Sequence, residues 1–150
     1  DNEVTKKNLK NEISNLGINT DRLIFADPTN HSNHLARHRL ADLFIDTYPY
    51  TGHTTTSDAL WTGLPVVTKI GRSFSSRVSS SILNSLNLNE LITKNNDEYK
   101  NFILNLSNDK NKLKKIKEKL IANINIQPLF NSKLYTENLE KAYQKVYNNN

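Results

Sequence analysis

Three short apolar runs without polar alternation set the strongest limit on what this chain can become. They are RLIFA (22–26), DLFIDT (42–47) and PVVTKI (65–70), and a stretch with helical spacing follows each. Runs of that kind read as strands buried on both faces, and such strands belong to parallel sheets covered by helices. Their alternation predicts an α/β fold, a Rossmann-like parallel sheet with flanking helices. A first helix over 4–16 uses Val4, Leu9, Ile13 and Leu16 and stops at Gly17. Further helices are expected over 31–41, 54–62, 74–86, 96–106, 109–123 and 132–147. ELIT (90–93) is read as a short fourth strand, and Gln127-Pro128 as a break. With so few strands and a helix first, the sheet is expected to be truncated on its N-terminal side. At 150 residues the whole is read as one domain.

What the chain lacks narrows its chemistry. Without cysteine there are no disulfides, thiolate metal sites or cysteine nucleophiles. Without methionine, residue 1 is read as lying inside a longer chain. No apolar run approaches the roughly 18–20 residues of a membrane span, and DNEVTKKNLK at the start holds no apolar signal region. A cytoplasmic location is taken as the default. A net charge of +5 permits a phosphate-rich partner. Much of it sits in KNKLKKIKEKL (110–120), where Leu113, Ile116 and Leu120 recur at helical spacing, so these lysines read as the wet face of an amphipathic helix. A nucleic-acid-binding module built on that helix is the alternative, though no aromatic interleaves with the lysines. The frequent asparagines are read as composition bias.

In a parallel α/β sheet, ligands sit beyond the carboxyl ends of the strands, where loops enter helices. Three segments fall there: DPTNHSNH, TYPYTGHTTTSD and KIGRSFSSR. In GHTTTSD (52–58) a glycine permits a tight turn before a helix whose free N–H groups carry partial positive charge. His53 and the hydroxyls of Thr54, Thr55 and Thr56 add donors suited to a diphosphate, and Asp58 could accept from ribose hydroxyls. The commoner explanation of such residues is a helix cap at Thr54 or Thr55 with Asp58 complementing the first turn. The two are not exclusive. His31, His34 and His38 share one helical face beside Arg37. As metal ligands they form a weak set, lacking the glutamate of HExxH and any cysteine. An imidazole there could stack on a base, or the face could simply be solvated. Arg72 and Arg77 flank a serine-rich helix start that could bind an anion or merely cap. No Walker A, GxGxxG or GxSxG pattern occurs.

The run HLARHRLADLFIDTYPYTGHTTTSDALWTGLPVVTKIGRSFSSRV (34–78), with ELITK and PLFNSKLYTENLE further on, closely resembles the catalytic region of the protein O-GlcNAc transferases. These are two-lobed nucleotide-sugar glycosyltransferases of the GT-B type, and the likeness runs from about Arg22 to Tyr147. It implies a partial UDP-sugar-binding lobe, with C-terminal helices over about 109–147. By position, His34 resembles the histidine that stacks on uracil, and Arg37 the arginine beside the base. Thr29 matches a backbone contact to the base. His53, Thr54 and Thr55 match the residues meeting the diphosphate, and Asp58 matches the ribose carboxylate. Animal members carry a lysine where this chain has His31, so no contact is carried over there. The family's catalytic residues are expected upstream of residue 1. The implied reaction moves N-acetylglucosamine from UDP-GlcNAc to Ser/Thr hydroxyls of an acceptor protein without a metal or other cofactor, although some relatives use glucose or fucose donors. The implied partners are the donor, the acceptor protein and the first lobe, against which the last helix would pack. Without that lobe Leu139, Tyr143 and Val146 are expected to be exposed. Many relatives carry N-terminal tetratricopeptide helices. No membrane or nucleic-acid partner is expected. A non-catalytic interaction domain is the remaining alternative.

Overall fold

A computed structural model describes residues 2–149. The chain divides into two compact units, one up to His34 and one from Leu35 onward.

The first unit begins with α1 (Glu3–Asn15), capped by the Asn2 side chain, which accepts from the Thr5 N–H at 2.8 Å. Gly17, at φ 73°, closes the helix, and the Ile18 N–H returns to the Ile13 carbonyl at 3.0 Å. A 3-10 turn follows at Thr20–Arg22, and α2 (His31–Arg37) spans the boundary between the units. The strand expected over 22–26 is not formed. Leu23 is extended, at φ −96° and ψ 102°, but Ile24 is exposed and the segment pairs with no strand among the described residues. The apolar run sets a local conformation. A parallel strand also needs a neighbour, which no local signal supplies.

The second unit holds the sheet. β1 (Phe44–Ile45), β2 (Val66–Lys69) and β3 (Ile92–Thr93) are all parallel and lie in chain order. Phe44 pairs with Val66, and Thr68 with Ile92. The crossovers are α3 (Thr54–Trp61) and α4 (Val78–Ser85). α5 (Asn96–Asn108), α6 (Lys110–Ile126) and α7 (Ser132–Asn148) follow, with a 3-10 turn at Pro128–Phe130 where the break was expected. β2 is central and its Val66, Val67 and Thr68 are fully buried, as the continuous apolar run required. Around it pack Leu60 from α3, Leu83 from α4, Leu106 from α5, and Ile116 and Leu120 from α6.

Helix ends follow local chemistry. Gly63, at φ 82°, terminates α3 and lets the Leu64 N–H reach the Ala59 carbonyl. Asn87, at φ 55°, performs the same closure after α4. Asn95 and Asn131 cap α5 and α7, so several asparagines read as composition bias have definite structural tasks. α4 starts at Val78 rather than near 74, because the preceding serines bond locally: the Ser76 hydroxyl donates to the Ser73 carbonyl at 2.9 Å. On α6 the lysines face outward, with Lys117 paired to Asp42 at 3.1 Å and Lys119 to Glu90 at 2.7 Å. On α7, Tyr143 and Val146 are exposed and Leu139 is half-buried.

Candidate functional site

The loop leaving β1 is tied to the sheet by one buried carboxylate. Asp46, 4% exposed, accepts the Gly52 N–H on Oδ1 at 2.7 Å and the Thr68 hydroxyl on Oδ2 at 2.6 Å. Its backbone carbonyl accepts from the Tyr99 hydroxyl on α5. Burial first, and the Asp46 charge second, push the Tyr99 phenol up to about 12. That keeps the donor protonated. On the other side of the loop, the Ser79 hydroxyl on α4 donates to the Gly52 carbonyl at 2.7 Å. Thr51 donates its hydroxyl to the Ser75 carbonyl at 2.6 Å. Gly52 is packed so closely that a Cβ there would lie 2.8 Å from the Thr55 hydroxyl and nearer still to that of Thr56.

This frame presents the start of α3. The cap position falls on His53, not on Thr54 or Thr55, and the His53 side chain makes no cap bond. Its ring instead stacks on Tyr50, with centroids 4.9 Å apart at 15°, and meets Phe74 edge-on at 6.2 Å. Its Nε2 is buried and has no hydrogen-bond partner. The three threonines divide. Thr54 and Thr55 are exposed, whereas Thr56 is fully buried with its hydroxyl 2.8 Å from that of Ser79. Thr56 is therefore no ligand donor, contrary to the reading of the three as one set. Asp58 is half-buried and lies beyond the first turn, so it does not complement the helix end as a capping carboxylate would.

A cleft of about 350 Å³ opens here, lined by residues 44–47 and 50–55. It brings together His53, Thr54 and Thr55 of the expected set, with Asp58 one turn further along α3. Arg37 is half-buried in the same unit but does not line the cleft. Thr29, exposed, and His34, half-buried, belong to the first unit. Arg72 and Arg77 are exposed and also outside the cleft lining. Lys69, at the end of β2, is committed elsewhere: its ammonium sits 3.3 Å from the Tyr48 ring centroid and donates to Asn96 at 2.6 Å. Among the described residues no group of three or more His, Asp or Glu side chains is arranged to hold a metal, His31, His34 and His38 included. Sequence reasoning missed Asp46, Thr68 and Ser79. The available signal was a carboxylate closing an apolar strand six residues before a glycine.

A parallel sheet whose first crossover helix turns an uncapped N-terminus toward a cleft is an arrangement found in nucleotide-binding α/β proteins. The sequence model of glycosyl transferase family 41 matches residues 2–139, and the chain belongs to that family. It is 34% identical over 133 residues, 88% of its length, to a probable UDP-N-acetylglucosamine–peptide N-acetylglucosaminyltransferase, SEC, of Arabidopsis thaliana. It is 35% identical over 131 residues, 87% of its length, to the UDP-N-acetylglucosamine–peptide N-acetylglucosaminyltransferase of Caenorhabditis elegans. Among solved structures, a mutant of the Thermobaculum terrenum O-GlcNAc transferase superposes with a TM-score of 0.87 at 32% identity, covering 96% of this chain. The chain spans 14% and 11% of those two relatives and 28% of the solved chain. Its α/β architecture matches the C-terminal catalytic region of the O-GlcNAc transferases.

Proposed function

We propose that this chain is the UDP-binding part of a protein glycosyltransferase, which moves N-acetylglucosamine from UDP-GlcNAc to Ser/Thr hydroxyls of acceptor proteins. The observation that carries the proposal is the start of α3. Its first N–H groups have no side-chain cap, and the exposed Thr54 and Thr55 hydroxyls stand beside them on one cleft that His53 also lines. The unsatisfied N–H groups of a helix start carry roughly half a positive charge. Sugar transfer places negative charge on the departing diphosphate, and fixed donors at that point stabilise it as it develops. Asp58, further along the helix, is the group assigned to the ribose hydroxyls. Thr29, His34 and Arg37 are assigned to the base, on the family resemblance. Catalytic groups that act on the acceptor hydroxyl are not assigned to this chain.

Metal independence and a cytoplasmic location belong to the same proposal. No helix among the described residues is long and apolar enough to cross a membrane. The relatives' names support UDP-N-acetylglucosamine as donor and a peptide as acceptor. Calorimetric titration of the purified chain with UDP tests the core of the reading. A saturable heat unaffected by EDTA is expected, with ADP weaker. No heat and no thermal shift at millimolar UDP would overturn it.

A further inference from the structure

Asp46 has a role in the site that its burial alone does not explain. A carboxylate taken out of water is costly unless hydrogen bonds compensate it, and a neutral side chain would fill the same space without that cost. Here both oxygens are used, one by a loop N–H and one by the hydroxyl of fully buried Thr68 on the central strand. Charge-assisted bonds of that length are the strong kind. The peptide groups around Gly52 are thereby held from two sides. β2 and β1 hold its N–H through Asp46, and α4 holds its carbonyl through Ser79. The residue after this clamp is His53, from which α3 begins.

We propose that Asp46 is a positioning residue for the anion-facing end of α3: it fixes Gly52, and through it the direction in which the N–H groups of Thr54 and Thr55 point. The role in ligand binding rests on the diphosphate reading above; the geometric role does not. Asp46 fixes the loop as an acceptor. An asparagine can keep the Gly52 bond through its amide oxygen, whereas an alanine cannot. Tyr99, donating to the Asp46 carbonyl, holds the same residue from α5.

The test compares Asp46→Ala, Asp46→Asn and Leu106→Ala with the unaltered 150-residue chain. Leu106 is 1% exposed and lies outside the cleft lining, so its truncation is a control for lost stability alone. UDP titration well below each melting temperature should find Asp46→Ala weaker by about tenfold, what one lost charge-assisted bond is worth. Asp46→Asn should return to within about threefold of the unaltered chain, the range a neutral acceptor leaves. Leu106→Ala should bind unchanged. In parallel, amide NMR should show the Gly52, Thr54 and Thr55 resonances moved in Asp46→Ala and largely restored in Asp46→Asn. If the unaltered chain does not bind UDP, the diphosphate reading fails, and the amide shifts alone decide the positioning role. Unmoved Gly52, Thr54 and Thr55 amides in Asp46→Ala overturn the proposal. So does unaltered UDP affinity in that variant, or an asparagine as damaging as the alanine.

Discussion

The Thr56 hydroxyl donates to the Ser79 hydroxyl inside the core, joining the first turn of α3 to α4 at 2.8 Å. The direction follows from proton count. Ser79 has one hydroxyl proton and gives it to the Gly52 carbonyl, so only Thr56 can supply the proton between them. Ser79→Ala leaves a buried donor and a half-buried carbonyl without this partner, and should cost about 1–3 kcal/mol in urea unfolding. Thr56→Val removes only one donor and should cost less. The two changes combined should fall short of their sum by about 0.5 kcal/mol or more, because they share one interaction.

Gly52→Ala tests the packing of the loop. The glycine is not in the left-handed region, so its constraint is space: the added carbon meets the Thr55 and Thr56 hydroxyls and lies 3.4 Å from Asp46 Oδ1. Overpacking of this kind costs about 1–3 kcal/mol. Gly63→Ala makes the contrast. There the nearest side-chain atom is 3.7 Å away, on Ile121, and the cost comes from φ 82°. Both variants should melt earlier in urea, but only Gly52→Ala should also weaken UDP binding.

Tyr99 sets a limit in alkali. Its phenol ionises near 10.0 in an unfolded chain and is pushed up to about 12 in the fold by burial and then by the Asp46 charge. The fold thus favours the protonated form. The resulting stability is fully present below pH 10 and is lost as pH rises through about 12. Tyr99→Phe lacks both the bond to Asp46 and this titration. It should be less stable by about 1 kcal/mol at neutral pH. The difference in melting temperature between the two chains should shrink between pH 10 and about 12.

On the ligand side, Thr55→Ala and Asp58→Ala should each weaken UDP binding by about 1–3 kcal/mol, the cost of a hydrogen bond to a charged group. His34→Ala should narrow the preference for UDP over ADP. Calorimetry with both nucleotides reads each effect, and equal affinities across all three variants would remove these residues from the site.

Much of the architecture was legible because its causes are local. α3 stops where a glycine can turn left-handed with a proline two residues on, and β2 is an apolar run that only a buried parallel strand accommodates. The amphipathic spacing of α6 places Ile116 and Leu120 inward. What escaped the sequence depended on partners distant along the chain. The segment 22–26 has strand chemistry but no paired neighbour among the described residues. The division of the threonines depends on where α3 starts: a cap at Thr54 or Thr55 would have kept one as a local acceptor, but with His53 at the cap Thr56 faces Ser79. Asp46 joins a glycine six positions away to a threonine twenty-two positions away, a relation no window along the sequence contains.

The three strands lie side by side in the order in which they occur in the chain. Each helix between two strands, α3 and α4, leads directly to the next place in the sheet, so no strand must be inserted between two already paired. Of the elements of the sheet, β1 and α3 come first in the chain, so β2 can dock beside β1 and β3 beside β2, each step using surface already formed. Pairing between neighbours in sequence keeps loop closures short, which favours fast folding for a parallel sheet. The same order makes Asp46 an early part whose task comes later: its carboxylate leaves the ribosome before Thr68, and β2 must dock before both of its bonds exist.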